Sequence, residues 1–115
     1  MNVSIIGTGS YLPERILTNA ELERMVDTSD EWVFTRTGIR QRRIAADTEA
    51  VSDMGAVAAG RALESAGLPA TEVGMIVMAT STPDMFFPSS ACLTQARIGA
   101  KNAFCFDLEA ACSGF

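Results

Sequence analysis

The residue best suited to chemistry is Cys112, which lies in the run Ala-Ala-Cys-Ser-Gly-Phe at positions 110–115. It follows an apolar, strand-like stretch and precedes two small residues, Ser113 and Gly114. This order predicts a sharp turn from a strand into a helix that presents one thiol. The start of a helix favours the thiolate, which attacks thioester carbonyls. The alternative is a buried, unreactive cysteine.

A second group combines an aromatic ring with positive charge. Trp32 and Arg36 are four residues apart, so they share one face of a short predicted helix. Three more arginines follow, Arg40, Arg42 and Arg43. The ring could stack on a nucleotide base while the guanidinium groups bind its phosphates. The same residues also fit a surface cation–π pair beside a solvated strand edge.

Three large apolar side chains, Met85, Phe86 and Phe87, occur in a loop between two prolines. Such residues are unusual in a loop that faces water. They could fill the core, line an apolar pocket or form a subunit interface. The other cysteines, Cys92 and Cys105, fall within a predicted helix and a predicted strand, where we expect small core residues.

Gly7-Thr8-Gly9 follows a strand-like run and invites comparison with a dinucleotide-binding turn. Leu12 stands where that fingerprint needs its third glycine, so the sequence excludes it. Gly7 and Gly9 are predicted to serve turns or close packing.

Composition narrows the class of protein. The chain has 115 residues, a net charge of -5, no histidine and three cysteines. The charge argues against a general nucleic-acid binder, and the lack of histidine and of paired cysteines argues against a zinc site. No apolar run approaches the roughly 18 residues of a membrane span, and the first residues lack a signal-peptide pattern. We therefore expect a cytoplasmic protein without nucleic-acid or membrane partners.

Periodicity and capping residues predict alternating strands and helices. The strands are expected over 3–10, 39–46, 74–80 and 103–108, and the helices over 18–26, 28–37, 51–66 and 89–98. The strand over 74–80 is continuously apolar, as in a strand covered on both faces, and the strand over 103–108 is predicted to be buried as well. This order predicts an α/β layered fold with a mostly parallel sheet.

Four stretches carry a resemblance to a known family. They are Gly-Thr-Gly-Ser-Tyr-Leu-Pro at 7–13, Val-Asp-Thr-Ser-Asp-Glu-Trp at 26–32, Thr-Arg-Thr-Gly-Ile-Arg at 35–40, and Phe-Asp-Leu-Glu-Ala-Ala-Cys-Ser-Gly-Phe at 106–115. The chain resembles the N-terminal part of β-ketoacyl-acyl-carrier-protein synthase III, the initiating condensing enzyme of type II fatty-acid synthesis. The resemblance implies a thiolase-like α/β fold of five layers, α-β-α-β-α, in a homodimer. Residues 1–115 would form most of its first half and end just after the nucleophile turn.

The resemblance also implies an activity. Cys112 would accept a short acyl group such as acetyl from acyl-CoA, a substrate, and no cofactor or metal would be needed. The acyl-enzyme would condense with malonyl-acyl-carrier protein, lose carbon dioxide and give a β-ketoacyl product. Trp32 matches the residue that stacks on the adenine of coenzyme A, and Thr28, Arg36 and Thr37 match neighbours that contact the nucleotide. Phe87 matches an aromatic residue that shapes the acyl pocket across the dimer interface.

Decarboxylation builds negative charge on a thioester oxygen, which needs hydrogen-bond donors. The family supplies them from a His and an Asn in its second half, so we expect the remainder of the enzyme to carry both. Two alternatives stay open: a related starter condensing enzyme of secondary metabolism, and a non-catalytic fragment that binds coenzyme A.

Overall fold

The computed structural model describes residues 2–115, which divide into two compact units: residues 2–11 with 49–115, and residues 12–48. The elements in chain order are β1 (Arg15–Thr18), α1 (Asn19–Leu22), α2 (Asp30–Thr37), β2 (Gln41–Ile44), α3 (Val51–Ala66), a 3₁₀-helix (Ala70–Glu72), β3 (Met75–Ala79), α4 (Ser90–Ile98), β4 (Phe104–Leu108) and a 3₁₀ turn (Ala111–Ser113). Among residues 2–115, no helix combines the length and apolar character needed to cross a bilayer.

The smaller unit contains a two-stranded antiparallel sheet. Strand β1, which the sequence patterns do not predict, pairs with β2 so that Thr18 lies opposite Gln41. Two of the arginines singled out in the sequence stabilise this strand pair. Arg43 Nη1 donates to the carbonyl oxygen of Pro13 at 3.0 Å, and Arg42 Nη1 donates to that of Leu17 at 3.3 Å. These two arginines therefore have structural partners within their own unit.

Local caps define the helices of the smaller unit. The Thr18-x-x-Glu21 spacing predicts a capping box at the start of α1, and the structure confirms it: Glu21 N donates to Thr18 Oγ1 at 3.2 Å and Thr18 N donates to Glu21 Oε2 at 2.8 Å. Helix α1 ends at Leu22, earlier than predicted. Helix α2 begins after Ser29, one residue later than expected, since Ser29 Oγ accepts from a backbone N–H of its first turn. It ends as predicted at Gly38, which has a left-handed φ of 70°.

The larger unit is built on two parallel strands. Strands β3 and β4 pair with Met75 opposite Phe104 and Ala79 opposite Leu108. Helices α3 and α4 pack against each other, and a Cβ at Gly55 in α3 would lie 2.7 Å from Met78 Cε. Glycine at this position therefore leaves room for a β3 side chain beside the helix.

Within residues 2–115, β3 and β4 are covered on one face only, so cover on both faces stays a prediction for the complete fold. Exposure alternates along both strands because successive side chains point to opposite sides of a sheet. The exposed row, the apolar sheet face, consists of Met75, Val77, Phe104, Phe106 and Leu108. One face of the β3–β4 sheet thus packs against the helices, and the other is exposed in this part of the protein.

The prediction of a strand over residues 3–10 is wrong, since the described residues up to Pro13 form neither strand nor helix. The close-packing role of the two glycines is confirmed. A Cβ at Gly7 would lie 2.4 Å from Ala62 O, and one at Gly9 would lie 2.2 Å from Ala58 O. The segment therefore lies with its backbone against α3, instead of entering a sheet.

Replacing Gly9 with alanine should lower the free energy of unfolding by about 1–3 kcal/mol, because the new methyl group would overlap a backbone carbonyl. Gly60→Ala is the matched control, since a Cβ there meets nothing within 4 Å. Because Gly60 lies in the middle of α3, alanine there should raise the free energy of unfolding by about 0.5–1 kcal/mol. Urea unfolding of the full-length protein, followed by circular dichroism, measures both. Equal effects at the two glycines would contradict the close approach.

Candidate active site

Cys112 lies at the carboxyl end of both parallel strands. The 3₁₀ turn that contains it follows β4, and a Cβ at Gly114 would lie 3.2 Å from the Cβ of Ala79, the last residue of β3. Open α/β sheets place their sites at this edge. The predicted sharp turn after a strand is confirmed, although the structure shows a single 3₁₀ turn over Ala111–Ser113.

The backbone directs the thiol outward. Ala111 has φ of 46°, the one positive value among the non-glycine residues in 2–115, and such a conformation costs about 1–2 kcal/mol. Ser113 N donates to Ala110 O at 2.9 Å, and Gly114 N donates to Ala111 O at 3.2 Å. The Cys112 side chain is exposed. Backbone strain of this kind is concentrated at functional sites, so it supports a role for the residue that follows.

The N–H of Cys112 takes no part in the hydrogen bonds that close this turn, which run from Ser113 and Gly114. A backbone N–H at the nucleophile is a common donor to the oxyanion of acyl transfer. The turn therefore places an exposed thiol and a backbone N–H suited to that role on the same residue.

The loop over residues 81–88 does not bury its aromatic rings in this unit. Phe86 and Phe87 are 102% and 85% exposed, which argues against a core role and leaves the pocket and interface interpretations. Asp84 anchors the base of the loop. Its Oδ1 accepts from Ser52 N at 2.9 Å, its Oδ2 accepts from the Ser52 hydroxyl, and its N–H donates to Ser90 Oγ at 3.0 Å.

Burial raises the pKa of Asp84, but the hydrogen bonds from Ser52 and the charge of Arg97 outweigh it, so the pKa lies below its ordinary value. A lowered carboxyl pKa stabilises the fold above the ordinary carboxyl range and loses that contribution as pH falls through the folded-state pKa.

We therefore expect Asp84→Asn to destabilise the protein at neutral pH, and this deficit to shrink as pH falls below the ordinary aspartate range. Urea unfolding at a series of pH values measures it. Glu64→Gln, at an exposed carboxylate of α3, controls for the general loss of charge. A deficit for Asp84→Asn that is constant over the acidic range would contradict the anchor.

Asp107 is a further positioning residue that sequence reasoning missed. Its two carboxylate oxygens accept from Ser90 N and Ala91 N, both at 2.7 Å, and so bind the start of α4 to β4. The available signal was a carboxylate inside the apolar strand Phe-Cys-Phe-Asp-Leu, on the same face as Cys105.

In the smaller unit, Trp32 lines two open depressions. One, of about 410 Å³, is lined by Asp27, Thr28, Ser29 and Trp32. The other, of about 280 Å³, is lined by Ser29, Glu31, Trp32, Thr35 and Arg36. The Trp32 ring is 53% exposed, and the Arg36 guanidinium carbon lies 4.5 Å from its centroid. A half-exposed ring with a cation beside it can bind a planar base that carries negative charge nearby.

The remaining residues of this group have other partners. Arg40 lies over the Phe34 ring, 3.8 Å from its centroid. The Thr37 hydroxyl donates to Val33 O at 2.7 Å and accepts from Ile39 N at 3.1 Å. Of the sequence-predicted residues, Thr28, Trp32 and Arg36 thus come together around the depressions. Thr37 lies outside these two, and Cys112 and Phe87 belong to the larger unit.

No protein-family model matches the chain. Among curated proteins, β-ketoacyl-acyl-carrier-protein synthase III of Caldanaerobacter subterraneus subsp. tengcongensis is 60% identical over 111 residues, which cover 96% of this chain and 34% of that protein. The chain thus spans about a third of the length of the curated relatives it matches.

Solved structures of the same kind of enzyme also match the chain. The crystal structure of 3-oxoacyl-acyl-carrier-protein synthase III from Aquifex aeolicus VF5 superposes with a TM-score of 0.91 at 55% identity, covering 96% of this chain and 36% of that one. The priming β-ketosynthase of the R1128 polyketide biosynthetic pathway gives 0.91 at 43% identity, covering 96% and 33%. These matches confirm the expected thiolase-like α/β class, of which the chain contains a part. Over nearly all of its length, this chain is therefore homologous to β-ketoacyl-acyl-carrier-protein synthase III, of which it spans about a third.

Proposed function

We propose that this chain carries the acyl-accepting cysteine of a condensing enzyme that initiates fatty-acid synthesis. The observation that carries the proposal is the exposed Cys112 thiol, placed by the left-handed Ala111 at the carboxyl end of β3 and β4. The similarity to β-ketoacyl-acyl-carrier-protein synthase III supports the choice of reaction.

In the first half-reaction, the Cys112 thiolate attacks the carbonyl carbon of a short acyl-CoA such as acetyl-CoA. The oxyanion forms beside the N–H of Cys112, and collapse of the tetrahedral intermediate expels the coenzyme A thiolate. The acyl group is then a thioester on Cys112. The reaction needs no cofactor or metal, because a thiolate and a thioester suffice for the exchange.

In the second half-reaction, malonyl-acyl-carrier protein loses carbon dioxide, and the resulting carbanion attacks the acyl-enzyme. The products are a β-ketoacyl-acyl-carrier protein and the free Cys112 thiolate. Developing charge on the malonyl thioester oxygen needs donors beyond those of this chain, which has no histidine. In this proposal the remainder of the enzyme supplies a His and an Asn, and residues 1–115 form most of the first thiolase-like half.

Coenzyme A is proposed to bind with its adenine on Trp32 and with Thr28 and Arg36 beside its nucleotide. The support is the half-exposed ring that lines two depressions and the cation on its face. Thr37 is included on the resemblance alone, since its hydroxyl already has two backbone partners.

The assembly is proposed to be a cytoplasmic homodimer in which Phe87 reaches the acyl pocket of the other subunit. An 85% exposed phenylalanine on an anchored loop supports contact with a further surface. We expect the second half of the fold to cover the apolar sheet face, because five exposed apolar side chains in one row favour burial.

The test is to incubate the full-length protein with acetyl-CoA and measure the mass added to each cysteine peptide. Acetyl on Cys112 alone, released as a β-ketoacyl product when malonyl-acyl-carrier protein is added, is the expected result. Labelling at Cys92 or Cys105 in place of Cys112 would refute the assignment.

A second candidate is a starter condensing enzyme of secondary metabolism, which the similarity to the R1128 priming β-ketosynthase favours. A panel of acyl-CoAs of rising length and branching separates the two. Loading restricted to long or aromatic groups would favour the second candidate. A fragment that binds coenzyme A without chemistry would show binding but no acylation of Cys112 with any primer.

A further inference from the structure

Two cysteines outside the proposed site lie in direct contact. Cys92 is the third residue of α4 and Cys105 is the second of β4, and their Sγ atoms are 3.1 Å apart. A disulfide has its sulfurs about 2.05 Å apart, so a bond requires an approach of about 1 Å. Both residues are half-buried, which corrects the expectation of plain core positions and leaves them within reach of a small oxidant.

The surroundings give the two sulfurs different roles. The Ser89 hydroxyl donates to Cys92 Sγ at 3.2 Å, and this bond, with the contact to Cys105, lowers the pKa of the Cys92 thiol. Burial and the charge of Asp107, whose carboxylate binds the first N–H groups of α4, oppose this shift without reversing it. Burial, with the neighbouring Cys92 and Asp107, raises the pKa of Cys105 to about 11. Cys92 therefore has the greater thiolate character, whereas the Cys105 thiol donates its proton to Gln95 Oε1 at 3.4 Å.

We propose that Cys92 and Cys105 are a redox site that closes to a reversible disulfide with hydrogen peroxide as the oxidant. The Cys92 thiolate attacks a peroxide oxygen, the O–O bond breaks, and hydroxide leaves with Cys92 as a sulfenic acid. The Cys105 sulfur then attacks the Cys92 sulfur, the S–O bond breaks, and the Cys105 proton leaves with the oxygen as water. Both sulfurs are oxidised, peroxide is reduced to water, and a dithiol reductant reverses the bond by exchange.

A disulfide between these two cysteines would link segments that lead to the proposed site. The loop with Phe87 ends just before Ser89, which caps α4, and Cys92 lies in the first turn of that helix. Cys105 lies in the strand that leads to the Cys112 turn. A covalent link between them would add to the bonds from Asp107 that already bind α4 to β4. Oxidation would therefore restrain two segments of the proposed site without using Cys112.

The test is peptide mapping of the full-length protein after brief exposure to equimolar hydrogen peroxide and blocking of free thiols with N-ethylmaleimide. Digestion with trypsin and endoproteinase Glu-C, without reduction, cleaves after Arg97 and after Glu109, so all three cysteines fall on separate peptides. We expect the Cys92 and Cys105 peptides to be joined, with the loss of two hydrogen atoms and of both alkylation sites. Dithiothreitol should restore both thiols.

Two variants sharpen the test. Cys105→Ala removes the resolving sulfur, so Cys92 should accumulate sulfenic acid that dimedone traps, and no cross-link should form. Cys112→Ser should leave the Cys92–Cys105 cross-link unchanged, even though it removes the proposed acyl acceptor. Alkylation of both Cys92 and Cys105 after peroxide, or a cross-link that needs Cys112, would overturn the proposal and leave the acyl-transfer assignment intact.

Discussion

Replacement of Cys112 by alanine should abolish acyl transfer, with a fall in rate on the order of 10⁴-fold or more, as expected when a covalent nucleophile is lost. Alanine keeps the small side chain of the exposed turn, so the fold should be retained. The measurement is the release of coenzyme A from acetyl-CoA by the full-length variant, together with its circular dichroism spectrum.

The matched controls are Cys92→Ala and Cys105→Ala, which remove sulfur from the same unit away from the turn. Under reducing conditions both should keep acyl transfer within a few-fold of the parent protein. If Cys112→Ala retains substantial transfer while either control loses it, the nucleophile has been assigned to the wrong cysteine.

Replacement of Trp32 by alanine should raise the KM for acetyl-CoA roughly 10-fold or more, since stacking of a base on an aromatic ring contributes about 1–3 kcal/mol. The kcat should change little, because the ring is proposed to contact the nucleotide and not the reacting thioester. Steady-state kinetics at saturating malonyl-acyl-carrier protein separates the two parameters.

Phe34→Ala provides the control on the same helix. Phe34 also carries a stacked arginine, Arg40, and its loss removes a partly exposed aromatic ring without touching either depression beside Trp32. Its KM should stay near that of the parent. A similar rise in both variants would mean that the Trp32 effect comes from damage to α2, and a fall in kcat alone would place Trp32 outside the nucleotide site.

Sequence patterns predicted the elements whose signals are local. Helix α3 spans the predicted residues because its alanine- and leucine-rich run ends at Gly67, which adopts φ of 63°. Helix α4 begins after its cap Ser89, where the predicted range begins, and ends at Gly99. Such signals act within a few residues, so they are readable without knowledge of the rest of the chain.

Features that depend on distant partners could not be predicted. Strand β1 exists because β2 lies beside it, and its four residues show too short a pattern to stand out. The β-branched residues near the start of positions 3–10 favoured a strand, but Gly7 and Gly9 pack against α3 and the segment forms no strand. The contact of Cys92 with Cys105 similarly needs α4 to lie on β4.

The candidate site shows the same division. The small residues after Cys112 indicated the turn, whereas the left-handed φ of Ala111 could not be inferred, because alanine favours ordinary helices. The role of Trp32 and Arg36 as neighbours followed from their spacing. Asp84 gave no signal, since its partner Ser52 is 32 residues away in sequence.

The loop with Phe87 and the turn with Cys112 have separate anchors. The loop depends on side-chain bonds between Asp84 and Ser52, whereas the turn depends on its own backbone and on contact with Ala79. Under the proposed function, primer choice and thiol reactivity can therefore be changed one at a time. Varying residues 85–87 to accept bulkier primers should therefore leave the acyl-accepting geometry intact.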